Sequence, residues 1–124
     1  MLFRIDFEVG IYPDRIQICD RRTGRFVDYA AEVPFSAPGR LIGDTVYFEN
    51  ALAKATRKAL SGGFILLDAQ ARISVGGGAL APADRGAIRH ALREIGFKAL
   101  CFDGEEAEEF AVMPPIPAML TALL

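Results

Sequence analysis

The sequence is poor in the residues that most often carry catalytic or metal chemistry, with one histidine and two cysteines among 124 residues. His90 has no cysteine, serine or carboxylate at a spacing typical of a catalytic pair, so we expect it to be a surface or boundary residue of a helix. Cys19 and Cys101 each lie inside a strand-like run. This placement favours two buried free thiols over a disulfide or a ligand role, and we expect no metal and no cofactor.

Two other features are missing, a surplus of charge and a long apolar run. The net charge is −2, which gives no general reason to expect binding to nucleic acid. No run of about 18 apolar residues is present, so nothing predicts a membrane span. At the N-terminus, Arg4, Asp6 and Glu8 follow Leu2 and Phe3 closely, unlike the apolar core of a signal segment. We therefore expect a cytoplasmic protein.

Apolar residues, in contrast, are plentiful, since 52% of the residues are hydrophobic and 24% are charged. A chain of this length is expected to form one domain, residues 1–124, with a substantial core. The apolar share is high for a small domain. It indicates either a generous core or an apolar surface that a partner covers.

The N-terminal part of the sequence predicts an antiparallel meander of three strands. Apolar and polar residues alternate over residues 2–9, which is the pattern of a strand with one buried face. Residues 10–14 and 21–24 have the composition of turns, and residues 15–20 and 26–33 have strand patterns. Such short connections cannot join parallel strands, so the three strands are expected to alternate in direction.

A loop and an amphipathic helix are expected next. Residues 34–43 contain two prolines and two glycines, which favours a loop, and residues 45–47 are expected to add a short extended piece. Residues 48–60 predict a helix that Gly62 and Gly63 stop. The apolar positions with helical spacing are Phe48, Leu52, Ala55 and Ala59.

A strand–helix–strand unit is the clearest pattern in the second half of the chain. Residues 72–75 and 98–103 predict strands, and residues 82–95 predict the helix between them, so the two strands should run parallel. The apolar run 64–67 is either one arm of a hairpin or the exit of the preceding helix. Residues 68–71 are expected to turn the chain.

The C-terminal part is less regular. The acidic residues 103–109 are expected to open another short helix, and residues 113–117 should be stiff and extended because they contain three prolines. The apolar residues 118–124 either pack back on the sheet as a final helix or form a subunit contact. Taken together, the elements predict an α/β protein with a mixed sheet flanked by helices.

This order of elements resembles the first subdomain of the actin-like ATPases, above all the bacterial rod-shape-determining MreB proteins. Their ribonuclease-H-like core runs three antiparallel strands, helix, strand, helix, strand, helix. Ile5-Asp6 and the meander resemble the first phosphate loop of that family, and residues 45–60 its second strand-to-helix entry. Residues 72–96 resemble its next strand and helix, and residues 100–106 its strand that ends in two glutamates. The resemblance covers nearly the whole chain and implies a single actin-like subdomain.

The residues that bind nucleotide in that family are altered in this sequence. The family's phosphate loop has the pattern Asp-x-Gly-Thr, but Asp6 is followed by Phe-Glu-Val and the glycine is displaced to position 10. Glu8 would place a negative charge near a phosphate, which is repulsive. The family's catalytic glutamate would fall near residues 104–105. The resemblance therefore implies a domain that is not an ATPase by itself.

Five residues form the candidate ligand site. Gly76, Gly77 and Gly78 precede a helix, where backbone amides can face an anion, although no phosphate-loop lysine pattern follows. Asp6 and Glu105 complete the set. A small-ligand site needs convergent groups around one cavity, so this site would fail if these residues lay more than about 15 Å apart with no pocket between them.

Three charged clusters have simpler explanations as solvated surfaces. Two are basic, one on the predicted hairpin and one on the outer face of the first helix. The acidic cluster matches no calcium-loop spacing, so we expect no metal there. The clusters are Arg21, Arg22 and Arg25; Lys54, Arg57 and Lys58; and Asp103, Glu105, Glu106, Glu108 and Glu109.

Two functions stay open on the sequence. The first is a non-catalytic actin-like domain that binds another protein or itself, near the cell-shape machinery if the resemblance extends to function. The alternative is a nucleotide- or phosphate-ligand-binding protein that uses the 76–78 glycine loop or the end of the Asp6 strand and is completed by a dimer.

Overall fold

The structure, a computed structural model, describes residues 5–60, 68–76 and 80–110. Over these residues it is a mixed α/β protein with six strands in one sheet and two helices. In chain order the elements are β1 (Ile5–Tyr12), β2 (Arg15–Asp20), β3 (Arg25–Ala30), α1 (Thr45–Ala59), β4 (Ala69–Val75), α2 (Pro82–Ile95), β5 (Ala99–Phe102) and β6 (Ala107–Glu109).

The strands are ordered β3-β2-β1-β4-β5-β6 across the sheet. Strand β2 runs antiparallel to both β1 and β3, to which short turns connect it. Strands β1, β4 and β5 run parallel to one another. Parallel neighbours need a crossover, and α2 lies in the connection between β4 and β5. Strand β6 returns antiparallel to β5 at the far edge.

Alternate residues of the central strand β1 form the middle of the core. Ile5, Phe7, Val9 and Ile11 are at most 5% exposed, so one face of this strand is out of water. Burying each such side chain stabilises the fold by roughly 1.5–3 kcal/mol. The same face continues on the neighbouring strands through Ile16, Ile18, Ala71, Ile73, Leu100 and Phe102.

Both helices join this apolar face in a single core. Their buried side chains include Phe48 and Leu52 of α1 and Leu92 of α2. Phe35, from the loop before α1, packs edge-on against Phe48 with ring centres 5.2 Å apart. In the described ranges, neither helix is long and apolar enough to cross a membrane.

The opposite face of the sheet is called the open face here. By strand alternation and register it carries the polar positions of the central strands. They include Asp6, Glu8, Gln17, Cys19, Arg72, Ser74 and Cys101.

Strand β1 is longer than the sequence predicts. The predicted turn over residues 10–14 is wrong at its start, because Gly10 pairs with Gln17 and the strand continues to Tyr12. A glycine fits here because the Tyr12 ring lies over it: a Cβ at position 10 would be 3.0 Å from Tyr12 Cε2. Strand β2 has its predicted bounds, whereas β3 ends at Ala30, before the predicted residue 33.

Helix α1 begins three residues before its predicted start. Residues 45–47, expected to be extended, form its first turn because Asp44 caps the helix: Asp44 Oδ1 accepts a hydrogen bond from Tyr47 N at 2.8 Å. The helix ends at Ala59, with Leu60 as its C-cap. The expected glycine stop and the apolar run 64–67 lie outside the described residues.

Strand β4 also begins earlier than predicted, so the expected turn over residues 68–71 is wrong. Ala69 and Ala71 are buried in the ladder with β1, and their small side chains gave no strand signal. The rest of the strand–helix–strand unit is confirmed. Helix α2 has the predicted bounds, Pro82–Ile95, and ends at Gly96, whose φ is 119°.

The predicted helix over residues 103–109 is wrong. After β5 the chain reverses in a tight turn in which Gly104 has a φ of 76° and Glu105 N donates to the Phe102 carbonyl at 2.9 Å. Strand β6 follows and pairs with β5. The acidic composition suggested a helix start, but a glycine in this conformation favours the turn. Residues 113–117 and 118–124 lie outside the described residues.

Asp14 fixes the long loop between β3 and α1 to the first hairpin. Its backbone has a φ of 55°, a conformation that aspartate tolerates better than most residues. Its Oδ1 accepts hydrogen bonds from Phe35 N at 2.8 Å and from Ser36 N at 2.7 Å. Because these bonds place the start of the loop, they also place the fully buried Phe35 ring in the core.

We expect Asp14→Ala to destabilise the fold by about 2–4 kcal/mol, because two amides lose their acceptor and alanine is strained at positive φ. Asp14→Asn keeps an acceptor oxygen and tolerates this conformation, so it should cost about 1 kcal/mol or less. Urea unfolding followed by circular dichroism measures both free energies. Equal losses in the two variants would contradict this role of Asp14.

Candidate functional site

Asp6, the first predicted site residue, lies on the open face in the amino-terminal half of β1. It pairs in register with Gln70 of β4. Its carboxylate oxygen Oδ2 lies 3.9 Å from a guanidinium nitrogen of Arg72, the outer limit of an ion pair. The Asp6 side chain is half-buried, and its ion-pair partner among the described residues is Arg72 of the neighbouring strand β4.

Gly76 follows the carboxyl end of β4 and is packed beneath an aromatic ring. Its amide donates to the carbonyl of Ile11 at 3.0 Å, which extends the ladder with β1. A Cβ at this position would lie 2.3 Å from Cδ1 of Tyr12, closer than real Cβ atoms approach other atoms. Only a glycine at position 76 leaves room for the Tyr12 ring. Gly77 and Gly78, the other two glycines of the predicted loop, lie outside the described residues.

Glu105 lies in the turn after β5 and binds an arginine of α2. Arg85 Nη1 donates to Oε1 at 3.0 Å, and Arg85 Nη2 donates to Oε2. The Arg85 guanidinium carbon also lies 4.6 Å from the centre of the Phe102 ring. These hydrogen bonds hold the pKa of the Glu105 carboxyl below its ordinary value, so the pair stays charged at neutral pH.

The described site residues do not form one constellation. Asp6 is level with Gln70, and Gly76 lies six residues farther along the same strand direction. At about 3.3 Å per residue, roughly 20 Å separates Asp6 from Gly76. Glu105 is beyond the end of β5, with its carboxylate held by α2.

One cavity lies beside Gly76, between the loop that precedes α1 and the start of α2. Its volume is about 340 Å³, and its walls include Ser36, Arg40, Gly76 and Asp84. Asp84 is only 5% exposed and its Oδ1 accepts from Ile42 N at 3.3 Å. An anion in this cavity would meet an attractive guanidinium and a repulsive carboxylate.

A second cavity, of about 570 Å³, opens on the open face. Register brings its walls together, since Arg72 pairs with Glu8 on one side and with Cys101 on the other. Ser74 and Glu105 also line it. Sequence reasoning missed this group, although the alternation of Arg72 and Ser74 around the buried Ile73 is a signal that could have found it.

The two cysteines are half-buried free thiols on the open face, so the prediction that they are buried is wrong. Each lies in a strand but points away from the helices, because Cys19 is paired with Glu8 and Cys101 with Arg72. The Cys101 thiol donates to the Glu105 carbonyl at 2.9 Å.

A cluster of positive side chains joins two segments that appear separate in the sequence. We call it the basic corner and define it as Arg22, Arg25, Arg57 and Lys58. Arg25 Nε donates to the carbonyl of Lys58 at 2.9 Å, which holds the start of β3 against the last turn of α1. Arg22 lies 3.5 Å from the Asp20 carboxylate. Among the described residues the other three form no ion pair.

Asp103 and Glu106, in the connection between β5 and β6, form the acidic corner. Both are exposed, and neither has an ion-pair partner in the part of the chain that the structure describes. Their neighbours Glu105 and Glu108, in contrast, are neutralised by two arginines of α2. In the connection between β5 and β6, Asp103 and Glu106 are therefore the two acidic residues without an ion pair among the described residues.

The sequence matches no protein-family model and has no significant match among curated proteins. The resemblance to the actin-like ATPases therefore stays a prediction.

We expect Gly76→Ala to destabilise the fold by about 1–3 kcal/mol, because its methyl group would collide with the Tyr12 ring. In the double variant Tyr12→Ala/Gly76→Ala this collision is gone, so the added cost of the alanine at position 76 should largely disappear. A double-mutant cycle from urea unfolding measures the coupling.

The matched control is Gly86→Ala, on the exposed side of α2, where an added Cβ meets no atom within 4 Å. It should stabilise the fold by roughly 0.5–1 kcal/mol, because alanine favours a helix. If Gly76→Ala were as harmless as Gly86→Ala, or were unaffected by Tyr12→Ala, the packing role of Gly76 would be refuted.

Proposed function

We propose that this chain is a non-catalytic domain with the ribonuclease-H-like architecture of the actin-like ATPases, acting by binding another protein or a second copy of itself. The order of its described elements supports the architecture: three antiparallel strands are followed by helix, strand, helix and strand, as in that family. Among the described residues, the element that follows β5 is strand β6, which the family's order does not include at this point.

One observation carries the non-catalytic part of the proposal: the described site residues already have structural partners. Asp6 faces Arg72, Glu105 is bound to an arginine of α2, and Gly76 is covered by Tyr12. A carboxylate that activates water must reach it, and a phosphate loop must leave its backbone open to the ligand. In this chain Asp6 instead faces a cation of the neighbouring strand, Glu105 holds the turn after β5 to α2, and Gly76 packs under Tyr12 at the end of β4.

Exposed apolar side chains support the binding part of the proposal. Phe26, Val33, Val46 and Tyr47 are large hydrophobic residues that remain at least 43% exposed. Val33 and Tyr47 line the same shallow cavity, of about 100 Å³, beside α1. Val33 and Tyr47 therefore lie side by side, and contiguous apolar surface is typical of regions that another protein covers. A role near the cell-shape machinery follows from the resemblance alone.

Sedimentation tests this proposal directly. We expect the sedimentation coefficient of the purified chain to rise with its concentration, or the chain to pellet with filaments of a bacterial rod-shape-determining actin-like protein. The controls are the chain without filaments and the filaments without the chain. A chain that stays monomeric at every concentration and remains in the supernatant would refute the binding proposal.

A phosphate-containing ligand is a second candidate, favoured by the cavity of about 340 Å³ beside Gly76. Arg40 supplies a guanidinium to its wall. The start of α2 supplies backbone amides, and Ala81 at its N-cap makes no side-chain bond to them. Asp84 opposes an anion in the same place, which is why we rank this function second.

Calorimetric titration with Mg-ATP and Mg-ADP separates the two candidates. The first proposal expects no heat of binding up to about millimolar ligand. The second expects binding that Arg40→Ala weakens by about tenfold, the loss of one charge-assisted hydrogen bond. Lys98→Ala, which removes a cation outside the cavity, is the matched control. Asp6→Ala should leave binding in this cavity unchanged, because Asp6 lies roughly 20 Å from Gly76.

A further inference from the structure

The two edges of the sheet differ in how well they are protected against pairing with another strand. Strand β6 is three residues long and contains two glutamates, and short, charged edge strands are one way in which proteins avoid such pairing. Strand β3 is six residues long, and no described strand pairs with its outer side. Its two charged residues, Arg25 and Asp28, are already bonded within the copy, to the Lys58 carbonyl and to Arg15. The β3 edge is therefore the less protected of the two.

The hydrogen-bond pattern determines which backbone groups β3 presents on its outer side. Ala31 N donates to the Asp14 carbonyl at 2.9 Å, so the residues of β3 that bond to β2 are the odd-numbered ones. The amide and carbonyl groups of Phe26, Asp28 and Ala30 consequently point away from β2. Among the described strands none lies on that side, so these groups can pair with a strand of a second chain.

The exposed apolar side chains of the described residues collect at this same edge. Phe26 belongs to β3 and is 59% exposed. Val33 follows the end of β3 and shares a cavity with Tyr29 of β3 and Tyr47 of α1, and Val46 precedes Tyr47 in the first turn of that helix. Apart from the buried Tyr29, these are the large hydrophobic side chains that remain exposed in the described ranges, and none of them lies at the β6 edge.

We infer that two copies of this chain pair antiparallel through the outer edges of β3 and form a closed dimer with one continuous sheet. This inference rests on the self-association part of the proposed function and names its surface. A two-fold axis makes the same edge serve both copies, so the dimer leaves no β3 edge to which a further copy could add.

Charge decides the register of this pairing. A two-fold axis places one residue of the strand opposite itself, and the middle of β3 offers Val27 and Asp28. With Asp28 at the axis two carboxylates would face each other, which is unfavourable. With Val27 at the axis two apolar side chains face each other, and Arg25 lies opposite the Tyr29 ring of the second copy, an attractive pairing of a cation with an aromatic ring.

The register with Val27 at the axis also brings opposite charges together at both ends of the paired strands. Counted outward from the axis, Arg22 of the hairpin lies opposite Glu32 of the second copy, and symmetry repeats this pair at the other end. Both side chains are more than half exposed. Exposed ion pairs add little affinity, but they favour one register over another. The occupant of the edge is a second copy because β3 and its flanking residues complement themselves in charge and in apolar surface.

Sedimentation velocity on variants of the axis residue tests this inference. We expect the wild-type chain to pass from monomer to dimer as its concentration rises, without larger species. Val27→Lys and Val27→Glu should each raise the dissociation constant of the dimer at least about tenfold, because like charges then lie opposite each other at the axis. An equal mixture of the two variants should recover the dimer, since opposite charges then face each other. This recovery also shows that both variants are folded.

A second set of variants lies at exposed positions, so the core is not disturbed. Arg22→Glu and Glu32→Arg should each raise the dissociation constant by about three- to tenfold, because two weak attractions become repulsions. A chain that carries both changes should return to the wild-type value, since symmetry re-forms each pair with its charges exchanged. If the Val27 variants do not fold, this set decides: single variants without effect, or a double variant without recovery, would overturn the register.

Ala107→Lys and Ala107→Glu are the matched controls, since they place the same charges at an exposed position of the β6 edge. They should leave the dimer unchanged. A dimer that persists in both Val27 variants, or that their mixture does not recover although circular dichroism shows both to be folded, would overturn this surface while self-association itself stands.

Two further outcomes would also overturn the inference. Species that keep growing beyond the dimer as the concentration rises would contradict a closed two-fold contact. A wild-type chain that is monomeric at every concentration would leave the proposed function to a different protein partner, which the pelleting experiment detects separately.

Discussion

Strand β1 is hydrogen-bonded along both sides, antiparallel to β2 and parallel to β4, and every other element takes its place from this strand. Its register determines which side chains face the helices. A shift by one residue would turn Phe7 and Val9 to the open face and bring Asp6 and Glu8 into the core. The cost of burying those carboxylates makes the register unambiguous. Both helices can pack on the sheet only because this alternation is fixed.

The sequence was most informative where a regular period and local end signals agree. Helix α2 has an apolar stripe, a proline at its start and Gly96 at its end, and its bounds were predicted correctly. The errors occurred where a distant contact decides the structure. Gly10 resembled a turn residue, but it continues a strand beneath Tyr12. The acidic residues after β5 resembled a helix start, but Gly104 reverses the chain there.

The candidate site shows the same limit of sequence reasoning. Three consecutive glycines before a helix are compatible with a phosphate loop, and no local signal reveals that Gly76 lies under a ring from β1. The basic corner was equally hidden, because Arg25 and Lys58 belong to separate segments that meet only in the folded chain. What could be predicted was the polar alternation along β4, which places Arg72 and Ser74 on one face. A surface made by several strands requires their register.

The positions of the two thiols have a consequence for the redox chemistry of this chain. Cys19, Glu8, Arg72 and Cys101 form one row across the open face, so the cysteines are three strand spacings, about 14 Å, apart. A disulfide needs Cα atoms within about 7 Å of each other. Oxidation therefore cannot close a bond inside one folded copy. It would join two copies covalently through their open faces, so a reductant is needed to separate reversible assembly from oxidative cross-linking.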